Sequence, residues 1–193
     1  MLVCRMRNVR MTLSSVFPSK APTEFITKRV MAFLRECGCH MTDITLKSDQ
    51  EPAIIAQLED IAKARGRKGP MQTVIEHSPS YASKSNGVVE RAVRSVEEHI
   101  RVMRSALEEK YKMKLGLNHP IWTWLTEYAS FLFNRCEVGR DGQTAYERCK
   151  NKSTGQRGGI WRRLFVEEES PRWKQSKVGM LVGRRHVPRS QSH

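Results

Sequence analysis

The run Ile44-Thr45-Leu46-Lys47-Ser48-Asp49-Gln50-Glu51-Pro52 reads as a short strand, a carboxylate at its carboxyl end and the first turn of a helix. Ile44 and Leu46 share one face at a spacing of two, as a half-buried strand requires. Lys47, Ser48 and Asp49 end the alternation, which puts Asp49 at the end of the strand. Pro52 suits a first helical turn, where its missing N–H costs no hydrogen bond. The predicted helix carries Ile55, Leu58, Ile61 and Ala62 inward and stops near Gly66, with the basic loop Arg65-Gly66-Arg67-Lys68-Gly69 after it. Strands alternating with helices make a sheet covered by helices, so the chain is expected to be α/β.

Upstream, Leu2 to Arg7 and Arg10 to Phe17 read as two strands around a turn at Asn8, with Met11, Leu13 and Phe17 on alternate positions. Pro18 to Pro22 interrupt the pattern. Thr23 then caps a helix in which Ile26, Val30, Phe33, Leu34 and Cys37 recur with helical period until Gly38. Downstream, Thr73 to Ile75 reads as a strand, and the polar stretch from His77 to Gly87 as a mobile loop. A long helix is predicted from about Val88 to Leu115, with Val89, Val93, Val96, Ile100, Met103, Leu107 and Tyr111 on its buried face. Pro120 opens another through Arg135 that leaves little polar surface, so it is expected deep in the fold or in a subunit contact. Trp122, Trp124 and Tyr128 of that helix read as core.

The chain has 193 residues, with 34 Lys and Arg against 20 Asp and Glu, a net charge of +14. Such a charge attracts polyanions. No apolar stretch approaches the roughly 20 residues that span a bilayer, and no secretory leader opens the sequence, so nucleic acid is a better candidate partner than a membrane. The five cysteines, Cys4, Cys37, Cys39, Cys136 and Cys149, lack the paired spacing of a zinc site, and read as reduced thiols of an intracellular protein. The apolar periodicity ends near Lys150. Residues 1–150 are therefore expected to form one folded core, and residues 151–193, with ten Lys and Arg against three Glu, a basic and largely irregular tail with one short element around Trp161 to Val166.

Two carboxylates stand out: Asp49 at a strand end, and Glu90 in the first turn of the long helix. Facing each other, they would hold a hard divalent cation through oxygen. Glu90 has simpler readings as a partner of the helix dipole or of Arg94 at i,i+4.

The runs Leu46-Lys47-Ser48-Asp49-Gln50, His77-Ser78-Pro79-Ser80-Tyr81 and Asn86-Gly87-Val88-Val89-Glu90-Arg91 resemble, in order and spacing, the catalytic core of retroviral and retrotransposon integrases, copia-type elements above all. Trp122 to Asn134 and Gly142-Gln143-Thr144-Ala145-Tyr146-Glu147 resemble the helix and loop that close that domain, so the likeness spans about Leu2 to Lys150. It implies a ribonuclease-H-like mixed sheet flanked by helices. It also implies polynucleotidyl transfer of element DNA into target DNA, by three carboxylates that hold two magnesium ions. Asp49 matches the second acid and Glu90 the third, both as catalytic residues and Mg2+ ligands.

The first acid has no counterpart, because only Glu24, Glu36 and Asp43 precede Asp49 and none ends a strand ahead of the Leu2 to Phe17 hairpin. The sequence thus reads as an integrase core that lacks its first strand, with magnesium chemistry incomplete and whether it is an enzyme left undecided. On the long helix Arg94, Arg101 and Arg104 lie on the side shared with Glu90, and with Arg91 and with Lys84 and Asn86 of the loop they are expected to contact DNA. Arg101 has an equal reading as the solvated partner of Glu97. Tyr81 suits base stacking or loop packing, and His77 a supporting role. The expected setting is nuclear, with DNA and a second copy of the chain as partners. The alternative is a non-enzymatic remnant that keeps only a DNA-binding or dimer-forming surface.

Overall fold

The computed structural model describes residues 1–17, 21–66, 71–77, 87–151 and 178–184. The amino-terminal hairpin forms as the alternation predicts. β1 (Leu2–Met6) pairs antiparallel with β2 (Thr12–Ser15), with Leu2 opposite Ser15 and Arg5 opposite Thr12. Arg10 takes a left-handed conformation (φ 61°) so that the chain can turn back, and Met6 N–H reaches Met11 C=O at 2.8 Å. α1 (Glu24–Glu36) starts at Thr23, whose hydroxyl accepts from Ile26 N–H at 3.3 Å, and ends at Gly38 with φ 66°.

β3 (Ile44–Ser48) leads into α2 (Pro52–Gly66), and β4 (Thr73–His77) pairs parallel with β3. The buried stripe of α2 is Ile54, Leu58, Ile61 and Arg65. It is rotated from the predicted one: Ile55 and Ala62 are only half-buried. Arg65 causes the rotation. Its guanidinium is enclosed between the β3 and β4 approaches, where Nε donates to Thr73 Oγ1 (2.9 Å), Nη1 to Cys39 C=O (3.1 Å) and Nη2 to Thr42 C=O (2.6 Å). An arginine that satisfies three acceptors can be buried where an unpaired one cannot.

α3 (Gly87–Tyr111) and α4 (Ile121–Cys136) pack against each other through Val96, Met103, Leu107, Leu125, Ala129 and Leu132. α3 stops at Tyr111, four residues before the predicted end, and leaves that side chain exposed. Lys112 turns left-handed (φ 51°), and Leu115 folds back into the α3/α4 core. Glu108 holds this reversal. Its carboxylate accepts from Arg104 Nε (2.9 Å), Leu115 N–H (3.0 Å) and Lys114 Nζ (3.1 Å). The bond from Arg104, then those from Leu115 and Lys114, lower its pKa from 4.5 to about 2. On α4, Trp124 is exposed and stacks on Tyr128 with ring centroids 4.6 Å apart. Leu125, Ala129, Leu132 and Phe133 fill the inner side of the helix. The expectation that Trp122, Trp124 and Tyr128 form core is met in part: Trp122 and Tyr128 are half-buried against the α3/α4 core, whereas Trp124 is exposed.

α5 (Ala145–Lys150) follows a capping box in which Thr144 Oγ1 accepts from Glu147 N–H and Glu147 accepts from Thr144 N–H. The chain returns to the sheet at β5 (Val178–Arg184). The strand order is β2-β1-β5-β3-β4, with β5 parallel to β1 and antiparallel to β3. The sheet is mixed and carries helices on both faces, as expected, but its middle strand comes from the stretch read as tail. Val178, Met180 and Val182 alternate as a short strand requires, but the pattern is brief and set in a basic stretch, and the reading of a tail passed over it. Met180 and Val182 are nevertheless buried in the main core. The predicted element at Trp161 to Val166 lies outside the described residues.

One face of the sheet presents Leu2, Cys4, Met6, Leu13, Ile44, Leu46, Met180 and Val182 to α1 and α2. The other face is partly polar. Ser14 Oγ donates to Thr126 C=O, and the Asn134 amide takes both sides of the Thr12 backbone, accepting from its N–H at 2.8 Å and donating to its C=O at 2.7 Å. Because β2 is an edge strand, Asn134 stands where a further strand would pair.

Asn134→Leu removes both bonds and strands a buried N–H and C=O. A loss of about 3 kcal/mol is expected, read as a fall in Tm of roughly 10 °C for a chain of this size. An unchanged Tm would show that the edge is satisfied otherwise. A second expectation concerns acid. The folded pKa of Glu108 is depressed, so its contribution is complete above the ordinary value of 4.5 and is lost as pH falls through about 2. An NMR titration of the Glu108 carboxyl carbon should show that midpoint, and a midpoint near 4.5 would mean that the Arg104 contact does not persist in solution.

Candidate nucleic-acid interface

Strand registers fix the edge at which each group stands. β5 runs parallel to β1 and antiparallel to β3, so β3 ends at the edge where β1 begins. Asp49 is exposed there, one residue beyond Ser48. His77 pairs in register with Ser48 and is exposed at the same edge.

Glu90 is exposed in the first turn of α3. α4 runs antiparallel to β2, since Asn134 meets Thr12 while Glu127 meets Ser15. α3 runs antiparallel to α4, with the His99 ring against Phe133 (5.8 Å) and the Arg104 guanidinium over Trp122 (5.5 Å). Phe133 therefore marks the edge where β1 ends.

Asp49 and Glu90 are thus both exposed, one just beyond β3 and the other in the first turn of α3. Among the described residues no three His, Cys, Asp or Glu side chains gather closely enough to hold a metal ion. Paired magnesium ions need several carboxylates within one coordination sphere. The described residues do not fit that requirement, and no reaction step through magnesium follows from them.

The arginines expected to contact DNA are of two kinds. Arg91 and Arg94 are exposed on the first turns of α3. Arg94 and Glu90 form no ion pair among the described residues. Arg101 lies 3.7 Å from Glu97 Oε2 with most of its side chain exposed, a weak surface pair. Arg104 is committed to Glu108 and the Trp122 ring at the α3/α4 junction. Lys84, Asn86 and Tyr81 lie outside the described residues.

The edge where β1 ends gathers more cations than the long helix alone supplies. Arg5 projects from β1 onto the Phe133 ring at 5.0 Å, and its Nη1 donates to Thr12 Oγ1 at 3.0 Å. Burial lowers its pKa first. Glu137 opposes that effect, while Arg10, Arg148 and Arg91 add to it. Arg148 is neutralised by Asp141, with Nε 2.6 Å from Oδ2, and its guanidinium holds the Asp141 carboxyl far below the usual range. Arg10 and Arg91 thus lie near Arg5 at this edge, and Glu137 is the acidic group among the described residues that acts on Arg5. Arg7 and Arg10 are both exposed at the β1–β2 turn. Sequence reading passed over these hairpin arginines because they surround a predicted turn far from any motif. The signal was present as Arg5-Met6-Arg7-Asn8-Val9-Arg10, three cations in six residues.

No described helix is long and apolar enough to cross a membrane. No protein-family model matches the chain, and no curated protein matches it. Among solved structures, the catalytic core domain of BIV integrase is similar, with 19% identity and a TM-score of 0.47 over 78% of this chain and 93% of that one. A likeness of that degree does not say what this chain binds or catalyses.

Proposed function

We propose that this chain is a nucleic-acid-binding protein with an integrase-type, ribonuclease-H-like core, that it binds duplex DNA through the edge where β1 ends, and that it is inactive in strand transfer by itself. The carrying observation is the gathering of Arg10 and Arg91 near Arg5, which lies on the Phe133 ring at that edge. Repulsion among those cations is relieved when phosphates replace water around them. Arg7 and Arg94, both exposed, extend the same surface across the turn and the helix. Arg91 and Arg94 contact DNA in this reading, whereas Arg101 and Arg104 act at the margin. The motif order from Leu46 to Glu147 supports the integrase ancestry. That no three His, Cys, Asp or Glu side chains gather among the described residues supports the absence of catalysis by this chain alone.

Fluorescence anisotropy with a duplex oligonucleotide across a salt series tests the binding surface. Each lost phosphate contact should reduce the log-log salt slope by about 0.9. Arg10→Ala with Arg91→Ala is therefore expected to lower it by roughly 2 and to weaken binding about tenfold or more at fixed salt. Arg104→Ala should leave the slope unchanged. An unaltered slope in the double variant would remove the edge from consideration. For the catalytic half of the proposal, the purified chain with magnesium and element-end DNA is expected to yield no joined product. Any magnesium-dependent joining that Asp49→Asn abolishes would overturn it.

A further inference from the structure

The middle of the sheet is held by a strand with unusual pairing. β1 residues Leu2–Met6 lie opposite Val178–Val182, whereas β3 residues Ile44–Lys47 lie opposite Leu181–Arg184. Only Leu181 and Val182 have partners on both sides. Residues 178–180 are held by β1 alone and 183–184 by β3 alone. Two of the seven residues of β5, Gly179 and Gly183, are glycines, which add no side-chain packing and lose the most backbone freedom in a strand.

The slot nevertheless has to be filled. Met180 (1% exposed) and Val182 (0%) close the core over Cys4, Met6, Ile44 and Leu46. An empty slot would open these side chains to water and leave two hydrogen-bonding edges about 9–10 Å apart, twice the strand spacing. Its occupant is required, yet bound over a short doubly paired segment.

The connection to β5 does not dictate which copy supplies it. The 26 residues from 152 to 177 separate the α5 end from Val178. That length reaches at most about 90 Å when extended, well beyond the diameter of roughly 40 Å implied by the gyration radius of a compact chain of this size. Exchange of β5 between two copies reproduces every bond and every buried contact of the strand, so concentration decides the balance.

We propose that the slot between β1 and β3 is a strand-acceptor site that takes Val178–Arg184 of a second copy, so that two chains complete each other's sheets. The surface that joins them is the slot itself, and the joining needs no nucleic acid.

Cys4 lies opposite Met180 in the register, so the native thiol reports on the occupant. Two full-length chains are mixed, one carrying Met180→Cys with Cys4→Ser, the other keeping Cys4 and Met180. After incubation at high protein concentration and mild oxidation, a disulfide joining positions 4 and 180 of different chains is expected, seen as a species of twice the chain mass and located by peptide mapping. Its yield should rise with concentration before oxidation. A second pair guards against misfolding of the first: Leu46 and Val182 are antiparallel partners, so Leu46→Cys in one copy and Val182→Cys in the other should link likewise. The single variant Met180→Cys keeps Cys4 and so carries both thiols in one chain; a link that it forms only within one chain, while neither mixture links, would overturn the proposal. Folded variants that form no link in either mixture would overturn it too, because β5 of a second copy would then not occupy the slot.

Discussion

β1 and β3 do not pair with each other; the hydrogen bonds that join the two halves of the sheet run through Val178–Arg184. The hairpin β1–β2 and the parallel pair β3–β4 are each two-stranded, and two strands without a third are marginal in water. β5 turns them into one sheet, and on that sheet rest the cover of α1 and α2 and the burial of Leu2, Cys4, Met6, Ile44 and Leu46. The constraint is severe because a central strand must satisfy backbone groups on both sides. It is met here by a segment that pairs on both sides at only two residues.

The two faces of the sheet are held by different physics. Toward α1 and α2 the contact is apolar and continuous, and its stabilisation scales with buried area. Toward α3 and α4 it includes buried polar groups, Thr12, Ser14, Ser130 and Asn134, whose bonds fix geometry more than they add energy. Asn134 covers the β2 edge, and Glu108 reverses the chain between the helices. Both are single side chains that settle backbone groups at places where no regular element can. Arg65 does the same between α2 and the sheet. In each case a polar residue is buried because its partners are carbonyls and amides left over at an element's end.

Charge is distributed to suit. Carboxylates are used mostly inside the protein's own structure: Glu108 on Arg104, Asp141 on Arg148, Glu127 on Arg29, Glu147 on its own helix start. The surplus of arginine is left at the edge where β1 ends, next to the start of α3. That pattern favours a polyanionic partner.

The sequence by itself determined the hairpin, the cap at Thr23, the long α3 seam and the placing of Asp49 at a strand end, because each depends on side chains within a few residues of one another. It also carried the integrase-like motif order. Other features were decided only in three dimensions. The stripe of α2 turned toward Ile54 because Arg65 needed acceptors from Cys39 and Thr42, and Tyr111 was left outside because Glu108 pulled Leu115 back. The arginine edge arises from β1, its turn and α3, which are far apart in the chain. Above all, β5 lies in a basic and glycine-containing stretch whose short alternation of Val178, Met180 and Val182 says nothing of which strands it joins. Its place is set by two facing edges more than a hundred residues upstream, whose unpaired backbone groups can be satisfied only by a strand between them.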